Sequence, residues 1–390
     1  MRIFFLFFMA LALCGWADAP QQPPIKIGMS TVLTGPTQEL GIQMKLGIEV
    51  YFAKINAQGG IAGRRIELIA LDDRYEPTRA GPNMRKLIDE EGVLAVIGNV
   101  GAPTAVVSVP IANEKQVLLF GAFTGSEVLR KVPPDRYVIN LRASYAEETA
   151  AMVNGLLSIG MKPDEIAFFT QNDAYGDSGY EGALKAIRAA GYPVEDLPQA
   201  RYTRNTTNIE EGLAELLAAS KPPKAIIIVG TYAPAEKFIK AAQKEFPDTL
   251  FLNVSFVGSD KLAQDLGDSA DQVIVTEVVP FLNQDLPASK EYRKDLKQYG
   301  GAQAVPNFVS FEGFLTAKLF VIGLQRAAAK NQLTREGIID AFEGMRDVDI
   351  GIGVNVSFDQ TDHQGLHTVW PMILIHGKYE TLNWKDLQRK

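Results

Sequence analysis

The 390-residue sequence predicts an α/β protein of two doubly wound parallel-sheet lobes. Three observations carry this. Short runs rich in Ile, Val and Leu alternate with longer helical patterns, the alternation occurs as two successive series, and the break between the series falls near Asn140–Tyr145. Continuous apolar runs suit strands buried on both faces, and parallel neighbours need crossover helices of this length.

In the first series Ile25–Met29, Ile66–Leu71, Val93–Ile97, Val117–Phe120 and Tyr137–Leu141 read as strands. Glu39–Ala57, stopped by Gly59-Gly60, Thr78–Glu91 and Thr104–Lys115 read as helices. The second series opens on Ser144-x-x-Glu147, a capping box whose helix runs to Ile159. Ile166–Thr170, Ala225–Val229 and Leu250–Asn253 follow as strands, with Ser178–Ala190, Asn208–Ser220 and Pro234–Phe246 as helices. The remainder is less regular. Gln272–Val279, Val354–Phe358 and Val369–Ile375 read as strands, Asn307–Lys330 and Thr334–Met345 as helices, and His376-Gly377 as a turn.

The N-terminus reads as an export signal. Arg2 precedes the apolar run Ile3 to Leu13, and Gly15-Trp16-Ala17 fits a cleavage site, so residues 1–17 are the expected signal peptide. Leu11-Ala12-Leu13-Cys14 resembles a lipoprotein box, but Leu13 is bulky where a small residue is wanted. A soluble periplasmic protein is therefore favoured over one anchored at Cys14. Cleavage would leave 373 residues, without the single cysteine and with a net charge of −8 in place of −7. The mature chain is then held by core burial, with no disulfide or thiol chemistry. No later stretch reads as apolar enough to cross a membrane. The charge is evenly spread without a basic patch, so nucleic acid is not an expected partner.

In open parallel sheets ligands bind beyond the carboxyl ends of the strands. Those positions are rich in small and hydroxyl residues: Ser30 to Pro36, Gly98 to Thr104 and Gly121 to Gly125 in the first series. The second series has Gln171 to Gly176, Gly230-Thr231-Tyr232 and Val254-Ser255-Phe256. Glycines allow close approach, and hydroxyls with helix-opening N–H groups hold a carboxylate without a full countercharge. Ordinary turn and N-cap chemistry uses the same residue types and stands beside this reading.

At these loops the chain resembles the periplasmic Leu/Ile/Val-binding proteins of ABC importers, with the type I periplasmic-binding fold. The resemblance rests on Leu33-Thr34-Gly35-Pro36, Asn56 to Gly63, Asp72-Asp73, Val96-Ile97-Gly98, Asp173-Ala174-Tyr175-Gly176 and Ser357-Phe358-Asp359, in order. It implies a three-segment hinge between lobe 1 (25–140 plus about 275–350) and lobe 2 (141–274 plus about 351–390), the two closing on a ligand. It implies carboxylate contacts from Ala102, Pro103, Thr104, Ala122 and Thr124, aromatic cover from Tyr175 and Tyr232, and an apolar contact from Leu40. Thr34, Phe123 and Ser255 complete the candidate set, with Arg142, Tyr145 and Asn99 as further candidates. Arg142 could meet a carboxylate or form an interlobe ion pair. Two departures matter: Gly101-Ala102-Pro103-Thr104 replaces a serine-rich loop, and Ser255 stands where the family has an acid for the ligand ammonium. The expected solute is thus a branched-chain amino acid or a related carboxylate or amide, with those lacking an ammonium preferred. Asp173 and Glu312 are the acids whose sequence positions leave their reach open.

The implied function is an extracytoplasmic solute-binding component that hands a small molecule to a membrane permease, without catalysis or cofactor, as a monomer. A sensory receptor of the same fold is the first alternative. An exported hydrolase is the second, disfavoured because no histidine is placed to activate Ser178 and a catalytic cysteine is lacking. His363, His367 and His376 read as surface residues, Asp72-Asp73 as structural, and no metal site is expected.

Overall fold

A computed structural model describes residues 22–194 and 197–389; the leader reading of residues 1–17, and with it Cys14, lies outside them. The first series forms strands β1 (Ile25–Thr31), β2 (Ile66–Asp72), β3 (Ala95–Ile97), β4 (Leu119–Phe120) and β5 (Val138–Ile139), all parallel, in the order β2-β1-β3-β4-β5. Helices α1 (Gln38–Ala57), α2 (Pro77–Arg85) and α3 (Ala102–Lys115) make its crossovers. The chain then passes into α4 (Tyr145–Ser158), β6 (Ile166–Gln171), α5 (Ala174–Ala189), β7 (Gln199–Tyr202), α6 (Glu210–Leu217), β8 (Ala225–Val229), α7 (Tyr232–Glu245), β9 (Leu250–Val254), α8 (Ser259–Leu266) and β10 (Val273–Glu277). These strands build a second parallel array, β10-β9-β8-β6-β7. In both arrays the strand order therefore reverses after the first strand, at β1/β3 and at β6/β8, which gives each sheet a switch-point crevice.

Helices α9 (Pro287–Tyr299), α10 (Phe308–Ala329) and α11 (Arg335–Glu343) pack with the first sheet's helices. A short hairpin of β11 (Val348–Asp349) and β12 (Asn355–Val356) follows, and β13 (Trp370–Ile375) and β14 (Lys378–Thr381) extend the second sheet antiparallel beyond β10. Three segments thus cross between the lobes, at 140–144, 278–286 and 357–369. The first and third pair directly: Asn140 N donates to His363 O (2.8 Å) and Gly365 N donates to Asn140 O (2.9 Å).

Local chemistry explains the key elements. Ser144 Oγ accepts from Glu147 N (3.1 Å) and Ser144 N donates to Glu147 Oε2 (2.6 Å), so the expected capping box starts α4. Contrary to the sequence reading, α10 is long and apolar enough to cross a membrane, with a mean hydropathy of 1.3, but 83% of that window is buried. It is the core helix of lobe 1. Its backbone touches α1 through glycines: a Cβ on Gly47 would sit 1.9 Å from Ser310 O.

Other corrections are local. α5 begins at Ala174, because the Asp173 side chain accepts from Tyr175 N (3.0 Å) and caps it, so Tyr175 lies on a helix rather than in a loop. The helix over 78–91 becomes α2 followed by a π-helical turn at Lys86–Glu90. β7, α8 and α9 escaped the sequence reading because their patterns are short or strongly polar. His363 is not on the surface: it is buried, with Nδ1 2.8 Å from Val138 O and Nε2 3.2 Å from Glu343, where it ties the third crossing to β5.

Candidate interlobe binding site

The strand-end loops of both lobes converge on one closed core. Lobe 1 contributes Tyr75, after β2, and Phe123 and Thr124, after β4; lobe 2 contributes Tyr175, Ser255 and Phe256. Arg142 comes from the first crossing and Tyr145 from the start of α4, directly after it. Phe256 is the centre of the aromatic set, with ring centroids at 4.8 Å from Tyr175, 5.2 Å from Phe123, 6.0 Å from Tyr75 and 6.4 Å from Tyr145. Tyr75 reaches this layer because Gly101 has no side chain: a Cβ there would lie 2.1 Å from the ring. Thr124 Oγ1 donates to Tyr145 OH (3.2 Å), and Tyr175 OH donates to Gly230 O (3.1 Å).

Beside the rings lies a buried charge cluster. Arg142 Nη2 donates to Ser255 Oγ and lies 3.3 Å from Glu148 Oε1; Nη1 lies 3.6 Å from Glu312 Oε1. Its guanidinium stacks 4.9 Å from the Phe123 ring centre. Glu148 is held in turn by Ser255 N (2.7 Å), Ser255 Oγ (3.0 Å) and Thr276 Oγ1 (2.9 Å). Glu277 accepts from Ser259 Oγ. Burial lowers the basicity of Arg142, but Glu312 and Glu148 more than offset it and hold the guanidinium above its ordinary value. Burial raises the Glu148 carboxyl despite Arg142, pushes Glu277 well up, and pushes Glu312 to about 7.

The Glu312 shift has a sign that can be measured. A carboxyl with a raised folded pKa binds more protons in the folded state, so stability falls as pH rises from the ordinary glutamate value to about 7 and is level above it. Its share is about 3 kcal/mol at 1.36 kcal/mol per pKa unit. Glu312→Gln is therefore expected to gain stability relative to the parent between pH 5 and pH 8, read by urea unfolding at both. An equal difference at the two pH values would remove Glu312 from this role.

The rim is also closed. Arg204 pairs with Glu76 (2.8 Å), Asn205 Nδ2 donates to Glu76 (2.7 Å), and Tyr232 OH donates to Pro36 O (2.6 Å). Ser126 and Ser178 share a hydrogen bond (2.9 Å), and Phe308 N donates to Asp260 (2.7 Å).

The candidate residues divide by position. Phe123, Thr124, Arg142, Tyr145, Tyr175 and Ser255 meet in the core. Tyr232 and Leu40 lie at the rim, Leu40 lining a cavity of about 370 Å³ beside Gly258 and Asp260. Ala102 and Pro103 are buried at the start of α3, and Thr104 Oγ1 donates to Val100 O (2.5 Å) and Gly101 O (2.9 Å). Ala122 packs into a hydrophobic cluster with Val109 and Val138. Thr34 is spent on Asp72 (2.5 Å), and Asn99 Oδ1 accepts from Ser30 N (2.9 Å). Of the two acids left open, Glu312 reaches the core, whereas Asp173 pairs with Arg204 (2.9 Å). Sequence reasoning missed Glu148, Tyr75 and Thr276. Glu148 directly follows the capping-box Glu147 on α4, and its buried position on that helix was the only available signal.

Residues 24–377 match the family model for periplasmic binding proteins. The chain belongs to that family. A crystal structure of a possible leucine/isoleucine/valine-binding protein from Rhodopirellula baltica shares 45% identity with this binding protein, covering 94% of its chain and 98% of the other, at a TM-score of 0.89. The leucine-, isoleucine-, valine-, threonine- and alanine-binding protein of Pseudomonas aeruginosa is 22% identical over 272 residues, 69% of this chain and 70% of that one. A branched-chain amino acid transporter component from Thermus thermophilus with bound valine shares the fold, at 17% identity and a TM-score of 0.80, with 95% and 100% of the chains covered.

Proposed function

We propose that this binding protein is the extracytoplasmic solute-binding component of an ABC importer, which closes its lobes on a small organic solute and presents the closed form to a permease. The reading is supported chiefly by one observation: strand-end loops of both lobes and the first crossing segment meet in a single polar and aromatic core. Thr124, Tyr145, Tyr175 and Phe256 are the expected solute contacts. Periplasmic residence is the expected location, supported by the family's description and by the leader reading of residues 1–17. No reaction is required, since binding energy is used to shift the lobes towards the closed population.

The test is a thermal-shift screen over amino acids, their des-amino acids, aromatic acids and short amides, followed by solution scattering on the hits. A solute at 100 times its dissociation constant is expected to stabilise the fold by about 2.7 kcal/mol, a rise of a few degrees, with a fall in scattering radius. A screen with no shift, or hits that leave the radius unchanged, overturns the clamp.

A further inference from the structure

Arg142 carries donors that the fold does not use. It is 1% exposed, yet Nε has no acceptor among the described residues, and Nη1 has no hydrogen bond there, only an ion-pair contact with Glu312 Oε1 at 3.6 Å. An unfilled buried donor is costly, and buried polar groups are normally paired. The side chain stands in the interlobe core itself, stacked on Phe123 and 5.8 Å from the ring centre of Tyr145, whose hydroxyl meets Thr124. Its remaining nitrogen, Nη2, is fixed by Ser255 Oγ and faces Glu148, so the guanidinium is held in one orientation.

The surroundings decide what charge an incoming solute can bring. Glu148 accepts three hydrogen bonds from Ser255 and Thr276, so its oxygens are committed to the fold. Ser259 donates to Glu277. The third acid, Glu312, already faces Arg142 Nη1 at 3.6 Å, so a solute ammonium entering this core would meet the fixed guanidinium as well, and like charges in a desolvated site repel strongly. A carboxylate would meet unfilled N–H groups on a planar cation, which is the partner geometry that carboxylates favour.

We propose that Arg142 is the specificity-determining residue of the interlobe site, selecting an organic carboxylate that lacks an α-ammonium group. The proposal rests on the solute-binding reading above and names the solute class within it.

The test compares two solutes of one carbon skeleton, taken from whichever skeleton gives the largest shift in the screen: leucine against 4-methylpentanoate, or phenylalanine against 3-phenylpropanoate. By calorimetry on the unaltered protein, the des-amino acid is expected to bind at least tenfold tighter. Arg142→Lys keeps the positive charge but loses the planar donors, and is expected to weaken the carboxylate at least tenfold. Equal or tighter binding of the amino acid overturns the proposal and points to Glu312 as the ammonium acceptor, while the solute-binding reading stands. Carboxylate affinity unchanged in Arg142→Lys overturns the assignment to Arg142. Should that variant fail to fold, the solute pair on the unaltered protein decides. A screen with no hits is a failure of the solute-binding reading instead.

Discussion

Arg142→Met is expected to destabilise the protein by about 3–5 kcal/mol at pH 7.5, because it leaves buried carboxylates without their cation. The guanidinium lies against Glu148 and Glu312, both nearly inaccessible to solvent, and Glu277 is buried in the same region. The cost should shrink at pH 5. Without Arg142 the folded-state pKa values of Glu148 and Glu312 rise further, so the variant loses more stability than the parent as pH increases and the gap is widest above neutrality. Urea unfolding at pH 5 and 7.5 reads both quantities. Arg142→Met combined with Glu148→Gln should recover a large part of the loss, since the double change removes a charge on each side. A single-variant cost below about 1 kcal/mol at pH 7.5 would mean that these carboxyls are neutral or hydrated there, and the charge cluster would not be what joins the crossing segment to lobe 2.

Phe256→Ala is expected to lose about 3–5 kcal/mol of packing, the usual range for truncating a fully buried aromatic ring. The position of that loss makes it informative. Phe256 belongs to lobe 2, but two of its ring partners, Phe123 and Tyr75, belong to lobe 1. Much of the cost should therefore fall on the closed arrangement rather than on either lobe's own core. The expected result is a larger scattering radius, with most secondary structure and the lobe melting retained, and at least tenfold weaker solute binding. An unchanged radius with a lower melting temperature would show that the ring supports lobe 2 alone.

Much of the fold was legible because it depends on local patterns. The strand runs Ile166–Phe169 and Ala225–Val229 are buried throughout and carry apolar residues at every position, so they announced themselves. The same burial made α10 apolar over most of its length, which is why its length and composition alone do not distinguish a core helix from a spanning one. β7 alternates at the sheet edge over only four residues, too short a period to detect. For the candidate site, chemistry at strand ends pointed to Phe123, Thr124, Arg142, Tyr145, Tyr175 and Ser255, because the topology obliges those loops to converge. Thr34, Asn99 and Thr104 carried the same signal but use their polar groups on their own lobe.

By itself the sequence determined the two α/β series, their parallel sheets, the point at which the chain first crosses, and the family. Tertiary structure alone decided which acids reach the core. Glu148 and Glu312 lie 164 positions apart on separate helices, and Asp173, a better candidate by proximity to Tyr175, is drawn away by Arg204. Periodicity fixes a side chain's face on its own element, whereas a charge cluster depends on how separate elements are oriented in space, and no local pattern encodes that. It also decided the state of Arg142. From sequence, an internal ion pair was at least as good a reading as a solute carboxylate; the folded chain gives Nη2 to Ser255 and Glu148, places Nη1 3.6 Å from Glu312, and leaves Nε without an acceptor among the described residues.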